Sequence, residues 1–262
     1  MVQNPGKKNT TALLITGDKV TGRGDLFAIP ISKLFGSYAL DNVTKVEDIC
    51  GKFNGSIENK VLMVCNEMQS VENSRHINAD ALKSVITEKT MINKKRYVNS
   101  RLGENLCNLM FLSNHDLPIK IEDADRRYVC LRVSSKYRQD FNYFGKLNEV
   151  LEHKLFMRNL FTFFLHRDIS KYQPRLIPMT EIKKDMINTS KDSFELFFEE
   201  NIDRFDGRGL ISKDCNQTYK VFCEENGYSN PLSNKSFGMR IKRLWRKRRE
   251  GIKPYSCILS LQ

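Results

Sequence analysis

The stretch LLITGDKVTGRGDLF, residues 13–27, decides how the first half of the chain folds. It begins in an apolar run of the kind that forms a buried parallel strand. A turn bounded by Gly17 and Gly22 follows, and apolar residues from Leu26 onward then have helical spacing. A strand, a glycine-bounded loop and a helix N-terminus form a site for phosphate, because unpaired backbone N–H groups and the helix dipole both favour an anion there. The stretch therefore predicts a phosphate-binding loop.

The loop matches the phosphate-loop pattern G-x-x-x-x-G-K-[ST] with two departures. Arg23 stands at the lysine position, and Gly24 stands where a hydroxyl group would hold Mg²⁺. Two spaced glycines after a strand also occur in ordinary tight turns. The loop alone leaves both interpretations open.

Composition limits the class of protein. The 262 residues are enough for one large domain, or for one medium and one small domain. The formal net charge of +12 predicts a polyanionic partner. High charge also serves solubility, but here the basic residues are concentrated toward the C-terminus.

Several classes of protein are excluded by what the sequence lacks. No apolar run approaches the roughly 18 residues that cross a bilayer, and the polar residues 1–10 do not resemble a secretory signal. The seven cysteines are dispersed without a C-x-x-C pair, which is typical of reduced thiols in an intracellular protein. Neither a ligand-spaced Cys/His set nor a carboxylate cluster is present, so we expect neither a metal-thiol protein nor a nuclease.

Two further apolar runs, KVLMVC at 60–65 and NLMFL at 108–112, predict buried strands, and each ends in polar residues. Asn66 and Glu67 follow the first run, and Asn114 follows the second. Because ligands bind outside the carboxyl ends of parallel strands, we expect these residues to converge with the glycine loop on one crevice. A glutamate there can polarise an attacking water, and an asparagine can contact the γ-phosphate. For any one of these residues, strand capping or turn formation is the alternative.

Taken in order, these motifs resemble the superfamily 3 helicase domain of viral and phage primase-helicases, the pox-type group. The matching segments are QNPGKK (3–8), GDKVTGRG (17–24), VLMVCNE (61–67), ITEKTMINKKRYVN (86–99), LMFLSNHDLP (109–118) and DADRRY (123–128). The resemblance covers residues 1–135. It implies an α/β fold with an AAA+-like P-loop NTPase core on a parallel sheet. It also implies a ring, usually a hexamer, that moves along DNA with ATP and Mg²⁺ and holds the nucleotide between neighbouring subunits.

The resemblance also implies a role for each matching residue. The phosphate loop comprises Gly17, Lys19, Thr21, Gly22, Arg23, Gly24 and Asp25. Glu67, beside Asn66, activates water, and Asn114 is the sensor. Arg126 or Arg127 is the arginine finger that reaches the neighbour's γ-phosphate. The hairpin cations that grip the phosphates of the single strand are Lys94, Lys95 and Arg96.

Departures from the family's pattern concern the metal and phosphate positions. The planar guanidinium of Arg23 does not replace a compact ammonium. Gly24 and Asn66 replace a hydroxyl and a carboxylate that support Mg²⁺. These changes imply slow or absent hydrolysis, although Lys19 could partly substitute for the missing lysine. The alternative is that this branch tolerates G-R-G, with Mg²⁺ held through water and Asp25 nearby.

Two functions therefore remain open. One is an ATP-dependent replicative DNA helicase that translocates on single-stranded DNA as a ring subunit. The other is a catalytically weakened relative that acts as a DNA-binding and oligomerisation module. The family usually carries a primase domain ahead of this region, so we expect a split gene or a truncated copy that works beside a separate primase. We expect it in the cytoplasm of a virus-infected cell or in a phage-derived replication complex.

The composition changes after Pro174 and Pro178, which predicts a second domain. We divide the chain into residues 1–135 as the NTPase core, 136–177 as a helical connector and 178–262 as a small DNA-binding domain.

The last predicted helix of the small domain begins near Ser233 and is strongly basic. Its cations are Lys235, Arg240, Lys242, Arg243, Arg246, Lys247, Arg248 and Arg249. The apolar segment IKPYSCILSL, at 252–261, predicts a terminal strand. Helices, a basic last helix and terminal strands fit a winged helix that binds duplex DNA, and the domain also resembles the winged-helix tail found after this helicase core. A solvated charged helix is the alternative. Such a helix usually carries acidic as well as basic residues, whereas this one has almost no acidic residue among its cations.

Overall fold

The computed structural model describes most of the chain, in two compact units that comprise residues 1–189 and 190–262. The described residues are 1–18, 28–66, 77–114, 119, 121–122, 124–201 and 212–249, without the side chains of 77–79, 212–214 and 244–249.

Strands and helices follow one another along the chain as the sequence predicts for an α/β protein. The strands are β1 (Ala12–Thr16), β2 (Ala39–Val43), β3 (Leu62–Asn66), β4 (Thr90–Asn93), β5 (Arg101–Glu104), β6 (Asn108–Ser113) and β7 (Tyr128–Arg132). The helices are α1 (Ile29–Phe35), α2 (Glu47–Cys50), α3 (Ile77–Thr87), α4 (Phe141–Glu152), α5 (Phe156–His166), α6 (Glu181–Thr189), α7 (Ser193–Glu200), α8 (Ser212–Glu225) and α9 (Asn234–Arg249). Short 3₁₀ turns lie at Gly36–Tyr38 and Gly55–Ile57.

A five-stranded sheet in the order β2-β3-β6-β1-β7 forms the centre of the first unit, and every pair of neighbours is parallel. All six residues of β6 are buried. Strands with a neighbour on each side and helices on both faces have continuous apolar sequences rather than alternating ones. This is why the apolar runs predicted these strands, and the predicted α/β class with a parallel sheet is confirmed.

Alternate residues of the strands supply two hydrophobic clusters, one on each face of the sheet. Leu14 and Phe111 belong to the cluster that also contains Leu82 of α3 and Ile182 of α6. The next residues along the same strands, such as Ile15, belong to the other cluster, against which side chains of α1 pack. Helices therefore cover both faces, and the ends of the strands are the places where polar side chains can gather.

The register of the sheet determines which residues share an end. Thr16 lies opposite Ser113 on one side and Arg132 on the other, while Asn66 lies opposite Leu112. We call this the carboxyl end of the sheet. At the amino end, Ala12 lies opposite Tyr128.

Helix α6 packs on β7 within the first unit. Its buried residues Met186 and Ile187 join the same cluster as Tyr128. The sequence places the start of the C-terminal domain near residue 178, ahead of this helix, whereas the two compact units divide after Thr189. Burial of the apolar face of α6 against the sheet accounts for the difference.

The second unit is built around aromatic side chains of α7, α8 and α9. Phe194, Tyr219 and Phe237 are buried together, with ring centroids 5.0–6.1 Å apart. The described part of this unit contains helices and no strand. The predicted terminal strand, 252–261, lies outside the described residues, so the winged helix stays a prediction.

No helix in the described ranges has the length and apolar character needed to span a membrane.

Candidate functional site

Three neighbouring strands end at one point of the carboxyl end. Gly17 follows β1, and its N–H donates to the carbonyl of Ser113 over 3.3 Å. Asn66 is the last residue of β3, and Asn114 directly follows β6, which lies between β1 and β3. The structure thus brings together Gly17, Asn66 and Asn114 of the predicted nucleotide site.

Neither asparagine is hydrogen-bonded through its side chain to the described protein. Oδ1 of Asn114 is buried and has no hydrogen-bond partner in the described structure. The half-buried carboxamide of Asn66 also makes no hydrogen bond to a described residue. Leaving a buried acceptor unbonded is unfavourable, so such a group calls for an explanation in function or strain. A ligand donor at the carboxyl end of the sheet would provide one.

Two arginines at the carboxyl end were not selected from the sequence. Arg132 closes β7 opposite Thr16. Arg138 follows β7 and binds the carboxylate of Asp18 over 3.2 Å. The rule that selected Asn66, a polar residue at the end of an apolar run, would also have selected Arg132.

The other residues of the predicted nucleotide site lie outside the described residues. They are Lys19, Thr21, Gly22, Arg23, Gly24, Asp25 and Glu67. Within the described part no group of three His, Cys, Asp or Glu side chains could hold a metal ion. Asp18, which lies at the carboxyl end, is engaged by Arg138. Among the described residues, the carboxyl end therefore presents carboxamide and guanidinium groups and no set of carboxylate ligands for Mg²⁺.

The two arginines of the predicted arginine motif differ in their surroundings. Asp125 accepts a hydrogen bond from the backbone N–H of Arg127 and another from its Nη1, each over 2.6 Å. The carboxylate of Asp125 is almost fully buried. Arg126 is exposed and forms no ion pair with a described residue. Arg127 is therefore held by the protein, while Arg126 is available to a ligand.

A buried lysine fixes the same turn. Nζ of Lys183, on α6, donates to the backbone carbonyls of Asp125 and Tyr128 over 2.9 and 3.0 Å. Lys183 is only 2% exposed, and this burial lowers the pKa of its ammonium group. The carbonyl of Arg127 accepts from the N–H of Ala12 on β1 over 2.7 Å. The turn that carries Arg126 is thus attached to both α6 and β1.

Arg126 and Arg127 lie at the amino end of the sheet, far from Gly17. Six residues separate the level of Arg127 from Gly17 along β1, which is about 20 Å at the rise of a strand. An arginine side chain cannot span that distance. Neither arginine reaches a phosphate at the carboxyl end of its own chain.

The predicted hairpin is formed by the antiparallel pair β4–β5. Two of its three selected cations have partners in the chain. Nζ of Lys95 lies 2.5 Å from the carboxylate of Glu58, and the guanidinium of Arg96 lies over the ring of Phe53. Lys94 is exposed and forms no ion pair with a described residue. Of the three, Lys94 is the cation that has no ion-pair or ring partner among the described residues.

Tyr97, at the tip of this hairpin, was missed in the sequence analysis. Its side chain is fully exposed and its φ angle is +62°. A bulky residue rarely adopts a positive φ angle, and such strain concentrates at functional sites. An exposed aromatic ring beside a run of cations is the sequence signal that could have identified it.

Helix α9 exposes most of the predicted duplex-binding cations whose side chains are described. Lys235, Lys242 and Arg243 are exposed and form no ion pair with a described residue. Arg240 instead binds Asp192 and lies 5.4 Å from the ring centre of Phe194. The side chains of the last four selected residues, 246–249, lie outside the described structure.

Comparison with protein families gives a match over part of the first unit. Residues 15–127 match the model of a family described as a family of unknown function, DUF5906. The match begins in β1 and ends just before β7. It therefore includes Gly17, Asn66 and Asn114.

Among characterised proteins, the chain is similar to the DNA primase-polymerase of Nitratiruptor phage NrS-1. The two are 29% identical over 136 residues, which is 51% of this chain and 18% of the phage protein. Two solved apo structures of the NrS-1 C-terminal region align with TM-scores of 0.60 and 0.61 at 19% identity. Each alignment covers 82% of this chain and 54% of the solved chain. This chain shares the fold of that region, spans about half of its length, and resembles a phage replication protein in sequence.

Proposed function

We propose that this chain is the subunit of an ATP-dependent DNA helicase that translocates on single-stranded DNA as a ring. The observation that carries the proposal is the separation of two sets of residues. Gly17, Asn66 and Asn114 meet at the carboxyl end of the sheet, and Arg126 projects from the amino end. Both sets can act on one nucleotide only if it lies between two copies of the chain.

Exposed apolar side chains support assembly with further copies. Helices α4 and α5 contribute no buried residue, although both contain many apolar ones. Phe141 is 82% exposed and Phe163 is 55% exposed. Large apolar side chains left exposed on two neighbouring helices are typical of an interface. We infer that a neighbouring copy covers it in a homo-oligomer, with a hexamer as the expected ring.

The residues of this chain divide the work as follows. The loop that begins at Gly17 and the carboxamide N–H of Asn114 contact the phosphates, Glu67 orients the attacking water and Arg126 of the next copy stabilises charge on the transferred phosphoryl group. Mg²⁺ would supply charge neutralisation when bound. The single strand contacts the β4–β5 hairpin, and α9 contacts duplex DNA as part of a winged helix. A separate primase is the expected partner in viral or phage replication.

Mixing two defective variants tests the shared site. We expect Asn114→Ala and Arg126→Ala each to abolish ATP turnover stimulated by single-stranded DNA. In a ring that mixes the two variants, some interfaces combine an unchanged Asn114 from one copy with an unchanged Arg126 from the next. Activity should therefore return to a fraction of that of the wild type. If the mixture stays inactive while each variant assembles and the wild type is active, the nucleotide is not shared between copies.

The hairpin supplies a second test, because stacking on an aromatic ring is worth roughly 1–3 kcal/mol per base. We expect Tyr97→Ala to weaken binding of single-stranded DNA and Tyr97→Phe to preserve it. Lys95→Ala should have less effect than Lys94→Ala, since Lys95 is engaged by Glu58. Equal losses in the two lysine variants would contradict this division of roles.

Duplex binding is tested through its salt dependence. Each phosphate contact contributes about 0.9 to the slope of log affinity against log salt concentration. Changing Arg243, Arg246 and Lys247 together to Ala should weaken duplex binding and flatten that slope. Arg240→Ala is the matched control, because Asp192 already binds this side chain. An unchanged slope in the triple variant would remove α9 from the duplex interface.

A non-catalytic DNA-binding and oligomerisation module is the second candidate. It is favoured by one observation, the uncharged Asn66 at the end of β3. Such a protein would bind ATP and assemble without turnover. Steady-state ATPase activity with and without single-stranded DNA separates the two functions.

A further inference from the structure

A cleft at the amino end of the first unit is lined by three arginines. It has a volume of about 290 Å³. Its lining residues are Thr10, Thr87, Ala124, Arg126, Arg127 and Arg175. No carboxylate belongs to this described lining. Three guanidinium groups around one small cleft repel one another unless an anion lies among them.

The positive charge of the cleft is only partly balanced by the protein. Asp125 binds Nη1 of Arg127, but Nε of Arg127 is buried and has no hydrogen-bond partner in the described structure. Arg126 and Arg175 are exposed and form no ion pair with described residues. Among the described residues, Asp125 is therefore the one carboxylate paired with any of these three cations, and the buried Nε of Arg127 has no described partner.

The cleft is also rigidly built. Arg127 is attached through Asp125 to Lys183 of α6 and through its carbonyl to β1. This arrangement fixes the turn from which Arg126 projects. Preorganised donors bind an anion without a cost of rearrangement. Arg127 is accordingly a positioning residue for Arg126.

We propose that this cleft binds a phosphate oxyanion, with Arg126 and Arg175 as its ligands. Guanidinium groups suit phosphate because their planar donors form two parallel hydrogen bonds with its oxygens. We assign the phosphate to a nucleotide held at the carboxyl end of a second copy of this chain. That assignment of the source rests on the proposed function, whereas the anion site itself does not.

Binding of inorganic phosphate to the full chain tests the site directly. Titration calorimetry at constant ionic strength should detect binding to the wild type. We expect Arg175→Ala and Arg126→Ala each to weaken it by about tenfold or more, the loss of a charge-assisted hydrogen bond. Arg175→Lys should retain part of the affinity, because the charge stays and the paired donors are lost.

Lys171→Ala is the matched control, since it removes an exposed cation of the same segment that does not line the cleft. It should bind phosphate as the wild type does. Absence of phosphate binding to the wild type, or equal losses in Lys171→Ala and Arg175→Ala, would overturn the proposal. Thermal unfolding of each variant shows whether it is folded.

The source of the phosphate is tested by two further measurements. Arg175→Ala mixed with Asn114→Ala should recover ATP turnover, as the mixture with Arg126→Ala does. If phosphate binding depends on Arg175 but no mixture is active, the anion site stands and the proposed function fails. If a single-stranded oligonucleotide displaces inorganic phosphate from the wild type but not from Arg175→Ala, the ligand is a nucleic-acid phosphate, and the assignment to a second copy is wrong.

Discussion

Asparagines at the two ends of the central sheet differ in how far the protein satisfies them. At the amino end, the carboxamide of Asn105 donates to two backbone carbonyls over 2.9 Å and accepts from Lys8 and from a backbone N–H. Asn108 likewise donates twice and accepts once. At the carboxyl end, Asn66 and Asn114 have no hydrogen bond to described residues through their side chains. A polar side chain that makes its hydrogen bonds within the protein stabilises the fold, and one that lacks hydrogen-bond partners is available to a ligand.

Charged groups at the amino end divide in the same way. Asp125, Arg127 and Lys183 bind one another or the backbone and are largely enclosed. Arg126 and Arg175 lie beside them without an ion pair to a described residue. Structural and ligand-binding roles are therefore mixed at the amino end. At the carboxyl end, both described asparagines lack a side-chain hydrogen bond to a described residue.

Restoring the carboxyl end should produce the largest effect. Arg23→Lys, Gly24→Ser and Asn66→Asp together return the ammonium, hydroxyl and carboxylate that the sequence pattern lacks. If these departures limit turnover, we expect the triple variant to raise steady-state ATPase activity by orders of magnitude. Adding Arg126→Ala should remove that gain, because an arginine finger is worth roughly 10³–10⁵ in rate.

The ATPase activity of the wild-type chain is an equally informative measurement. ATP turnover by the wild type at about 1 s⁻¹, within the ordinary range for enzymes, would show that Arg23, Gly24 and Asn66 are compatible with hydrolysis. A triple variant that binds ATP and assembles but stays inactive would show that more than these three positions has changed. Either result would show that the residues at positions 23, 24 and 66 do not by themselves decide whether the carboxyl end is catalytic.

Opposite signs of stability change at Asn105 and Asn114 would sharpen the comparison. Asn105→Leu should lower the free energy of unfolding by about 3 kcal/mol, because buried carbonyls and the Lys8 ammonium lose their partner. Asn114→Leu should be neutral or stabilising by about 1 kcal/mol, since its buried Oδ1 has no hydrogen-bond partner among the described residues. Urea denaturation measures both. Equal destabilisation would show that Asn114 supports the fold.

Sequence reasoning identified the sheet but could not make this distinction. Continuous apolar runs predicted β1, β3 and β6, because strands buried on both faces need no polar alternation. All four asparagines adjoin those runs, so their positions along the chain look alike. What separates Asn105 from Asn114 is contact with Lys8 and α3, which the fold brings near and the sequence leaves distant.

The arginine pair shows the same limit. Arg126 and Arg127 are adjacent in the sequence and equally suited to an arginine finger. The structure separates them through Asp125 and through Lys183, which comes from a helix more than fifty residues later. Arg175 reaches the same cleft from another distant segment. Long-range contacts of this kind have no periodic signal in the sequence.

Removal of the buried carboxylate tests the structural part of the amino end. Asp125→Asn should lower the free energy of unfolding by about 2–3 kcal/mol, because Arg127 would keep its charge without a counter-charge. Asp80→Asn is the matched control, since this carboxylate pairs with Lys83 on the surface and is 81% exposed. It should change stability by less than about 0.5 kcal/mol. Similar values for the two variants would mean that the Asp125–Arg127 pair does not hold the turn.

The smallest expected effect is a pH dependence that arises from Lys8 at the amino end. Burial lowers the pKa of its ammonium from the ordinary 10.5 to about 8, an effect that the nearby Cys107 thiol partly opposes. The unfolded chain then binds this proton more tightly than the folded chain, so protonation favours unfolding. The destabilisation caused by burying the charged ammonium is fully present below pH 8 and is relieved as the pH rises from about 8 toward 10.5.

Stability of the wild type should therefore rise with pH in this window relative to that of Lys8→Met. We expect a difference of about 1 kcal/mol between pH 7.5 and pH 10, less than the shift alone would give because Lys8 is only partly buried. Lys183 has a pKa shift in the same direction, but it is present in both proteins and cancels in the comparison. Urea unfolding of the two proteins at both pH values measures the difference. Parallel pH profiles would mean that the Lys8 ammonium is hydrated in the folded state, and that its burial at the amino end does not destabilise the fold.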